Sequence, residues 1–272
     1  MDVSPVSGMS SFGGLSSNEA TPLTRQEQEQ FASIVKDPEN RGFCPWLRSF
    51  INRLLGVFGE KLSPGQLNRC LDNIFSNENE WQHKGSFEVG GVFQTLFREK
   101  QFAGNTYVVC AATHDLQESE SDSIAAHMSG GRSLIQTFAA LDGAYPEGSV
   151  KALIPIAQSN TYGPFGARGH FTLLEVDIDN GMIKNAVLHD SKGGFVDTFY
   201  DGAGRLTEIL HKANLVGDDS FSVAVEHRGE QSLLNGNDCG RFAAYYAAKI
   251  ITDENLTNAN KKDAGAFFKK HF

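Results

Sequence analysis

Cysteine is scarce in this chain of 272 residues: Cys44, Cys70, Cys110 and Cys239 are its four, scattered, with no CxxC pair among them. That pattern excludes a dense disulfide framework and a zinc ribbon, and leaves each sulfur a free thiol. Basic charge is also short, with 24 Lys and Arg against 33 Asp and Glu and a formal charge of −9. A general polyanion binder needs a dense field of Lys and Arg, so no nucleic-acid partner is expected. Long apolar runs are missing: nothing approaches the roughly 20 residues of a membrane-spanning helix. Met1 to Thr24 lacks the basic-then-apolar order of a secretory signal, so a soluble protein is expected. His83, His114, His127, His211, His227 and His271 show no metal-ligand spacing such as HExxH. The pairs Gly90-Gly91, Gly130-Gly131 and Gly193-Gly194 lack a P-loop Lys-Ser/Thr or a dinucleotide fingerprint and read as turns. Neither a metal nor a cofactor is expected. What the chain does have is 40% hydrophobic residues over a length sufficient for a substantial core.

The first stretch, SPVSGMSSFGGLSSNEA, is rich in Ser and Gly, and residues 1–23 read as a flexible leader. From Thr24 apolar residues recur at helical spacing in three runs: Phe31, Ile34 and Val35; then Leu47, Phe50, Ile51, Leu54 and Leu55; then Leu67, Cys70, Leu71 and Ile74 after Ser63-Pro64. Residues 24–85 are therefore expected to be a helical N-terminal extension, with a polar stretch at Ser76 to Lys84. Residues 86–272 carry mixed signals. Val92 to Phe97 is ambiguous between strand and helix, and Tyr107 to Ala112 reads as a short buried strand. No element is assigned from Gln117 to Gly131. Ser133 to Leu141 reads as a helix. Ala152 to Ala157, Phe171 to Ile178 and Met182 to His189 read as strands, the last two joined by a tight turn at Asn180-Gly181. A helix from about Gly204 to Ala213, a strand Phe221 to Val225 and helices Cys239 to Ile251 and Asn258 to Phe272 complete an α+β pattern. Phe267, Phe268 and Phe272 of the last helix are expected to dock on the core.

The sequence NGNDCG at 235–240 opens an alanine-rich helix, and Asn237 or Asp238 has the side chain to cap it. Cys239 then falls on the first turn, where the positive end of the helix dipole and unpaired backbone N–H groups favour thiolate. The plain alternative is a small buried hydrophobe. A nucleophilic cysteine needs a base and the base an orienting acid. His170 opens the first hairpin strand and Asp190 ends the second, and the two are symmetric about Asn180, so they are expected to lie opposite each other. The glycine-rich approach GPFGARG, 163–169, is expected to leave His170 at a mobile mouth outside the core. Glu175 and Asp177 alternate with Leu174 and Val176 and read as a solvated strand face. Trp81, in a polar loop, reads either as a packing anchor for the N-terminal helices or as a residue that grips a substrate tail.

The order His170, Asp190, Asp-Cys239-Gly, with IPI at 154–156, HFTLLEVDID, HDS and NGNDCG, resembles the clan CE cysteine peptidases over about Ala152 to Ile251. These include the Ulp/SENP SUMO proteases, adenovirus-type proteases and bacterial effector deubiquitinases. The resemblance implies an adenain/Ulp-like, papain-like core with a mostly antiparallel sheet flanked by helices. It implies a thiol protease hydrolysing the isopeptide or peptide bond after the C-terminal Gly of ubiquitin, SUMO or NEDD8, with their conjugates as partners and no cofactor. His170 would be the base, Asp190 its orienting acid and Cys239 the nucleophile. The family's oxyanion glutamine commonly stands six residues before the cysteine, where this chain has Leu233; Gln231 stands eight before. Either a longer loop brings Gln231 in, or the Cys239 N–H works with another group. Phe171 replaces the tryptophan that often covers the modifier's tail. The divergence outside the motifs resembles a bacterial effector secreted into the host cytoplasm without a signal peptide. The N-terminal helices would bind the modifier or regulate. The alternative on the same fold is a YopJ-like acetyltransferase, which would use acetyl-CoA and inositol hexakisphosphate, with Glu usually as the acid and a basic pocket that a charge of −9 does not advertise.

Overall fold

Apolar alternation from Val92 onward builds strands whose two faces are both buried, and the helices follow from where those faces need cover. The computed structural model describes residues 62, 64–77, 79–89, 92–115, 133–160, 168–192, 202–231, 238–253, 256 and 259–272. The expected leader, the first two N-terminal helices, Cys44, the stretch 117–131 and loop residues 232–237 lie outside them. In chain order the elements are α1 (Pro64–Ile74), β1 (Gln82–Val89), β2 (Val92–Phe102), β3 (Asn105–Cys110), β4 (Thr113–His114), α2 (Leu134–Ala144) and β5 (Ser149–Asn160). There follow β6 (Arg168–Asp179), β7 (Met182–Asp190), α3 (Gly202–Lys212), β8 (Ala224–His227), α4 (Cys239–Asp253) and α5 (Lys261–His271).

The strands form one sheet in the order β1-β2-β3-β5-β6-β7-β8, with β4 beside β5 beyond the end of β3. Pairing is antiparallel except for β3 and β4 with β5 and β7 with β8. On one face, Ala152, Ile154, Ile156, Leu174, Val176, Ala186 and Leu188 form a cluster with Phe138 and Leu141 of α2 and Leu206 and Ile209 of α3. On the other face, Val109, Leu153, Phe171 and Leu173 join α1 and α4, with Ala264 of α5. The fold is thus α+β, a mostly antiparallel sheet flanked by helices on both sides.

Three differences from the sequence expectations follow from pairing and packing between elements. β1 occupies the stretch read as polar: its sequence, QHKGSFEV, has little apolar alternation, and it is an edge strand made by its pairing with β2. The expected division at residues 85 and 86 falls inside that strand. α1, expected to belong to an extension, shares a hydrophobic cluster with α4 through Leu67, Leu71 and Phe75. It is also pinned to β2 by polar contacts. The fully buried Arg98 donates through Nε and Nη2 to Asp72 Oδ1 at 2.9 and 2.6 Å and through Nη2 to the Asn68 carbonyl at 3.1 Å. The hairpin turn is as expected, with Asn180 and Gly181 at φ of 50° and 76°, the conformation a two-residue type I′ turn requires.

α4 passes close over the sheet because its inward positions are small. Ala243, Ala244 and Ala247 are at most 1% exposed. α5 caps α4 from outside, starting at Asn260, whose side chain accepts from Lys262 N and Asp263 N. Phe268 lies 5.0 Å from the Phe242 ring and Phe267 lies 5.5 Å from that of Tyr245, so the aromatic stripe docks on α4.

Candidate active site

Cys239 is the first residue of α4, and the Asp238 carbonyl accepts the first helical hydrogen bond, from Phe242 N at 2.9 Å. Gly240 is the residue that lets this helix end meet β6: a Cβ there would lie 3.3 Å from Phe171 Cδ2 and 3.5 Å from the Leu62 side chain. Phe171 N–H hydrogen-bonds the Cys239 sulfur. His170, one residue earlier, is the side chain whose charge most strongly favours the thiolate.

His170 and Asp190 meet, but not as directly opposed residues. Ile178 opposes Ile183 while Asp177 opposes Asn185, so Lys184 is an extra residue, a one-residue bulge in β7. Regular pairing continued from the turn would set Asp190 level with Phe171, on the face away from His170. The bulge shifts the register so that His189 pairs with Leu173. Asp190 then stands level with Thr172, on the same face as His170 and two residues along, the diagonal relation that long side chains bridge. His170 Nε2 donates to Asp190 Oδ1 at 2.7 Å, and Lys192 N–H donates to the same oxygen at 2.8 Å. Asp190 is held on its other flank as well, its carbonyl accepting from Arg228 N at 2.8 Å beside β8.

The expectation that His170 stands outside the core is overturned: it is 3% exposed, while residues 163–167 of the glycine-rich approach lie outside the described residues. β6 begins at Arg168 and pairs with β5 out to Asn160, so His170 sits inside a central strand, across from Gln158. Cys239 is 2% exposed, so it too is buried. Burial pushes the Cys239 thiol up, but His170, the Phe171 N–H and the charge of Lys192 together hold it below its ordinary value. Burial pushes His170 down, but the hydrogen bond to Asp190 and the neighbouring Cys239 outweigh that and raise it to about 9. Nδ1 has no partner of standard hydrogen-bond geometry. Cys239 is nonetheless close enough to shift the ring, and each of the two groups favours the charged form of the other. A histidine beside a cysteine in this relation is the pairing that thiol nucleophiles use.

Gln231 comes to the same end of β7. Its N–H donates to the Ser191 carbonyl at 2.9 Å, and Ser191 Oγ donates to its Oε1 at 2.6 Å. Of the two expected substrate-binding aromatics, neither presents a ring to solvent. Phe171 is 5% exposed and packs on Gly240. Trp81 is 8% exposed, with its ring 4.6 Å from that of Phe75, and anchors the end of α1. Glu175, expected on a solvated face, is instead engaged by Lys151 Nζ at 2.6 Å and His189 Nε2 at 2.9 Å, because α4 and β8 cover that end of the sheet. Burial pushes its carboxyl up, and these two partners hold it below its usual range.

Ser191, Lys192 and Gln158 are neighbours of the site that sequence reasoning did not single out. Ser191 and Lys192 directly follow Asp190, which was a usable signal. Gln158, 2% exposed with its Nε2 unpartnered, is a polar residue at an inward position of an apolar strand. Among the described residues, no group of three His, Cys, Asp or Glu side chains converges as a metal site, and no helix is long and apolar enough to cross a membrane.

No protein-family model matches the chain, and no curated protein does. Among solved structures it is similar to two crystal structures of the Legionella pneumophila effector protein RavZ, at 13% and 11% identity and TM-scores of 0.47 and 0.49. The alignments cover 77% and 76% of this chain and 65% and 62% of RavZ, so the chain spans less than two thirds of those relatives. It is also similar to the SUMO protease Ulp1, at 13% identity and a TM-score of 0.39, over 93% of this chain and 95% of that one.

Proposed function

We propose that this protein is a clan CE cysteine protease that cleaves the bond following the C-terminal glycine of ubiquitin or a ubiquitin-like modifier. What carries the reading is the His170 ring, held at Nε2 by Asp190 and placed beside a Cys239 thiol that its charge lowers. In the reaction, Cys239 Sγ attacks the glycine carbonyl carbon and the C=O electron pair moves onto oxygen. That oxyanion collapses, the C–N bond breaks, and the Nδ1 proton of His170 passes to the leaving amine. Water then attacks the thioester as His170 takes its proton, and the thiolate leaves. The Cys239 N–H and the Gln231 carboxamide are the proposed oxyanion donors. The modifier as substrate class rests on the motif resemblance around Ile154, His170, Asp190 and Cys239. Ulp1, one of the similar structures, is a SUMO protease, and RavZ is a bacterial effector. An effector role in a host cytoplasm and a modifier-binding part in the N-terminal region belong to the same proposal.

The test is a panel of ubiquitin, SUMO and NEDD8 probes carrying a C-terminal electrophile. The expected result is a covalent adduct with one of them on Cys239, absent from Cys239→Ala and His170→Ala and slowed in Asp190→Ala. Labelling of Cys70 or Cys110 instead would displace the assignment of the nucleophile. No adduct with any of the three, together with acetyl transfer from acetyl-CoA, would move the chain to the acetyltransferase branch.

A further inference from the structure

Gln158 sits beside His170 with a hydrogen-bond donor that nothing in the chain uses. It is directly opposed to His170 in the β5–β6 ladder, so both side chains leave the same face of the sheet. It is 2% exposed, and its Nε2 has no partner. Thr172 Oγ1, on its diagonal neighbour on that face, is also unpartnered, so the NH2 group is not turned to it. A buried donor without an acceptor is a cost to folding that an apolar residue would avoid. Ala152, Ile154 and Ile156, the other residues of β5 buried on this face, are all apolar. The ladder also settles on which side of His170 the carboxamide stands. Phe171 N–H meets the Cys239 sulfur, so at that residue the β6 backbone donor points away from β5. Cys239 is therefore on the β7 flank of β6, with Asp190, and Gln158 is on the β5 flank, with His170 between them.

We propose that Gln158 is a specificity-determining residue that donates from Nε2 to a carbonyl oxygen of the leaving group, and so favours peptide-linked over lysine-linked substrates. This rests on the proposed protease reading. In that reaction the acyl carbon becomes bonded to Cys239 Sγ and the departing nitrogen takes its proton from His170, so the leaving group lies on the His170 side of the scissile bond. The residue that flanks His170 away from Cys239 is Gln158. In a peptide leaving group a single Cα separates the departing nitrogen from a carbonyl, which is an acceptor for that NH2. In an isopeptide the departing nitrogen is a lysine Nζ, followed by a run of methylene groups that accept nothing. The carboxamide is thus paired by one class of leaving group and left unpaired by the other, the condition under which a buried polar group discriminates between substrates.

The experiment uses the full chain and the modifier that the probe panel marks, joined at its C-terminal glycine to one reporter peptide in two ways. One substrate has a peptide bond to the reporter's N-terminus, the other an isopeptide bond to a lysine side chain within it. Wild type is compared with Gln158→Met and Gln158→Leu, both apolar and of similar volume. Three quantities are read: kcat/KM on each substrate, the rate of Cys239 alkylation by iodoacetamide, and the thermal midpoint. The ratio of kcat/KM, peptide-linked over isopeptide-linked, is expected to fall about tenfold in both variants, the scale of one hydrogen bond lost at a buried group. Alkylation involves no departing amine and should be unchanged. The midpoint should be no lower than that of wild type, because the substitution removes a buried donor that has no partner. An unchanged ratio would overturn the proposal, including the case where both substrates slow equally, which is what a water beside Gln158 in place of the leaving group would give. A fall in alkylation matching the fall in kcat/KM would also overturn it, because Gln158 would then be holding His170. So would a lowered midpoint in both variants, because the carboxamide would then have a partner inside the folded chain. Failure of wild type to react with any modifier probe would instead remove the protease reading, and the proposal with it.

Discussion

At Cys239 burial and charge oppose each other, and the balance sets what the residue can do. Burial alone would raise the thiol; His170, the Phe171 N–H and Lys192 lower it by more. Iodoacetamide alkylation followed against pH should therefore show a midpoint below 9 in the wild type. In His170→Ala, where the strongest lowering partner is gone and burial remains, the midpoint should rise above the wild-type value. The same pair links stability to pH. His170 is raised from 6.5 to about 9 in the folded protein, so the stability it contributes is complete below 6.5 and is lost as pH rises through about 9. Urea unfolding of wild type and His170→Ala at several pH values checks this, the difference between them shrinking across that interval. Cys239→Ala should lose all measurable turnover while changing stability by about 1 kcal/mol, the scale of a conservative truncation at a buried site.

At the scale of elements, the site depends on two fits that are invisible to hydrophobic periodicity. One is the Lys184 bulge, which puts Asp190 on the face of His170; no residue type in MIKNAVLHD announces it, and only the pairing with β6 defines it. Symmetry about Asn180 brought the right two residues together in the sequence reading, though as directly opposed partners and not as diagonal neighbours. The other fit is the approach of the α4 start to β6 at Gly240. Alanine there gains helix propensity of up to about 1 kcal/mol but brings a Cβ to 3.3 Å from Phe171, which must give way. Gly240→Ala is therefore expected to leave the unfolding free energy within about 1 kcal/mol of wild type. It should nonetheless reduce kcat severalfold, because Phe171 carries the N–H that meets the sulfur. Denaturation and steady-state kinetics on one preparation separate the two effects.

Across the whole molecule, α1 is a working part of the core. It packs against α4 through Leu67 and Leu71, and Arg98 of β2 is fully buried against Asp72 and the Asn68 carbonyl. Removing Asp72 leaves the buried Arg98 charge with the Asn68 carbonyl and no carboxylate, so Asp72→Ala should cost about 3 kcal/mol in urea unfolding. Arg98→Met in the same chain should return part of it by removing the stranded charge.

By itself the sequence determined the candidate groups and their order along the chain: a cysteine on the first turn of an alanine-rich helix, a histidine and an aspartate flanking an Asn-Gly hairpin, and the strands from Ala152 to His189. Those are local facts, written in capping, turn and period-2 signals that neighbouring residues settle among themselves. Only the tertiary structure decided that β1 is a strand, that Phe171 and Trp81 turn their rings inward, that Glu175 serves Lys151 and His189, and that His170 lies within the sheet. Each of these is fixed by a partner outside the residue's own element: β2 for β1, Gly240 for Phe171, Phe75 for the Trp81 ring, Lys151 and His189 for Glu175, and the extended pairing with β5 around His170. Burial and register are properties of paired elements, and a single strand's sequence carries only its own half of the pairing.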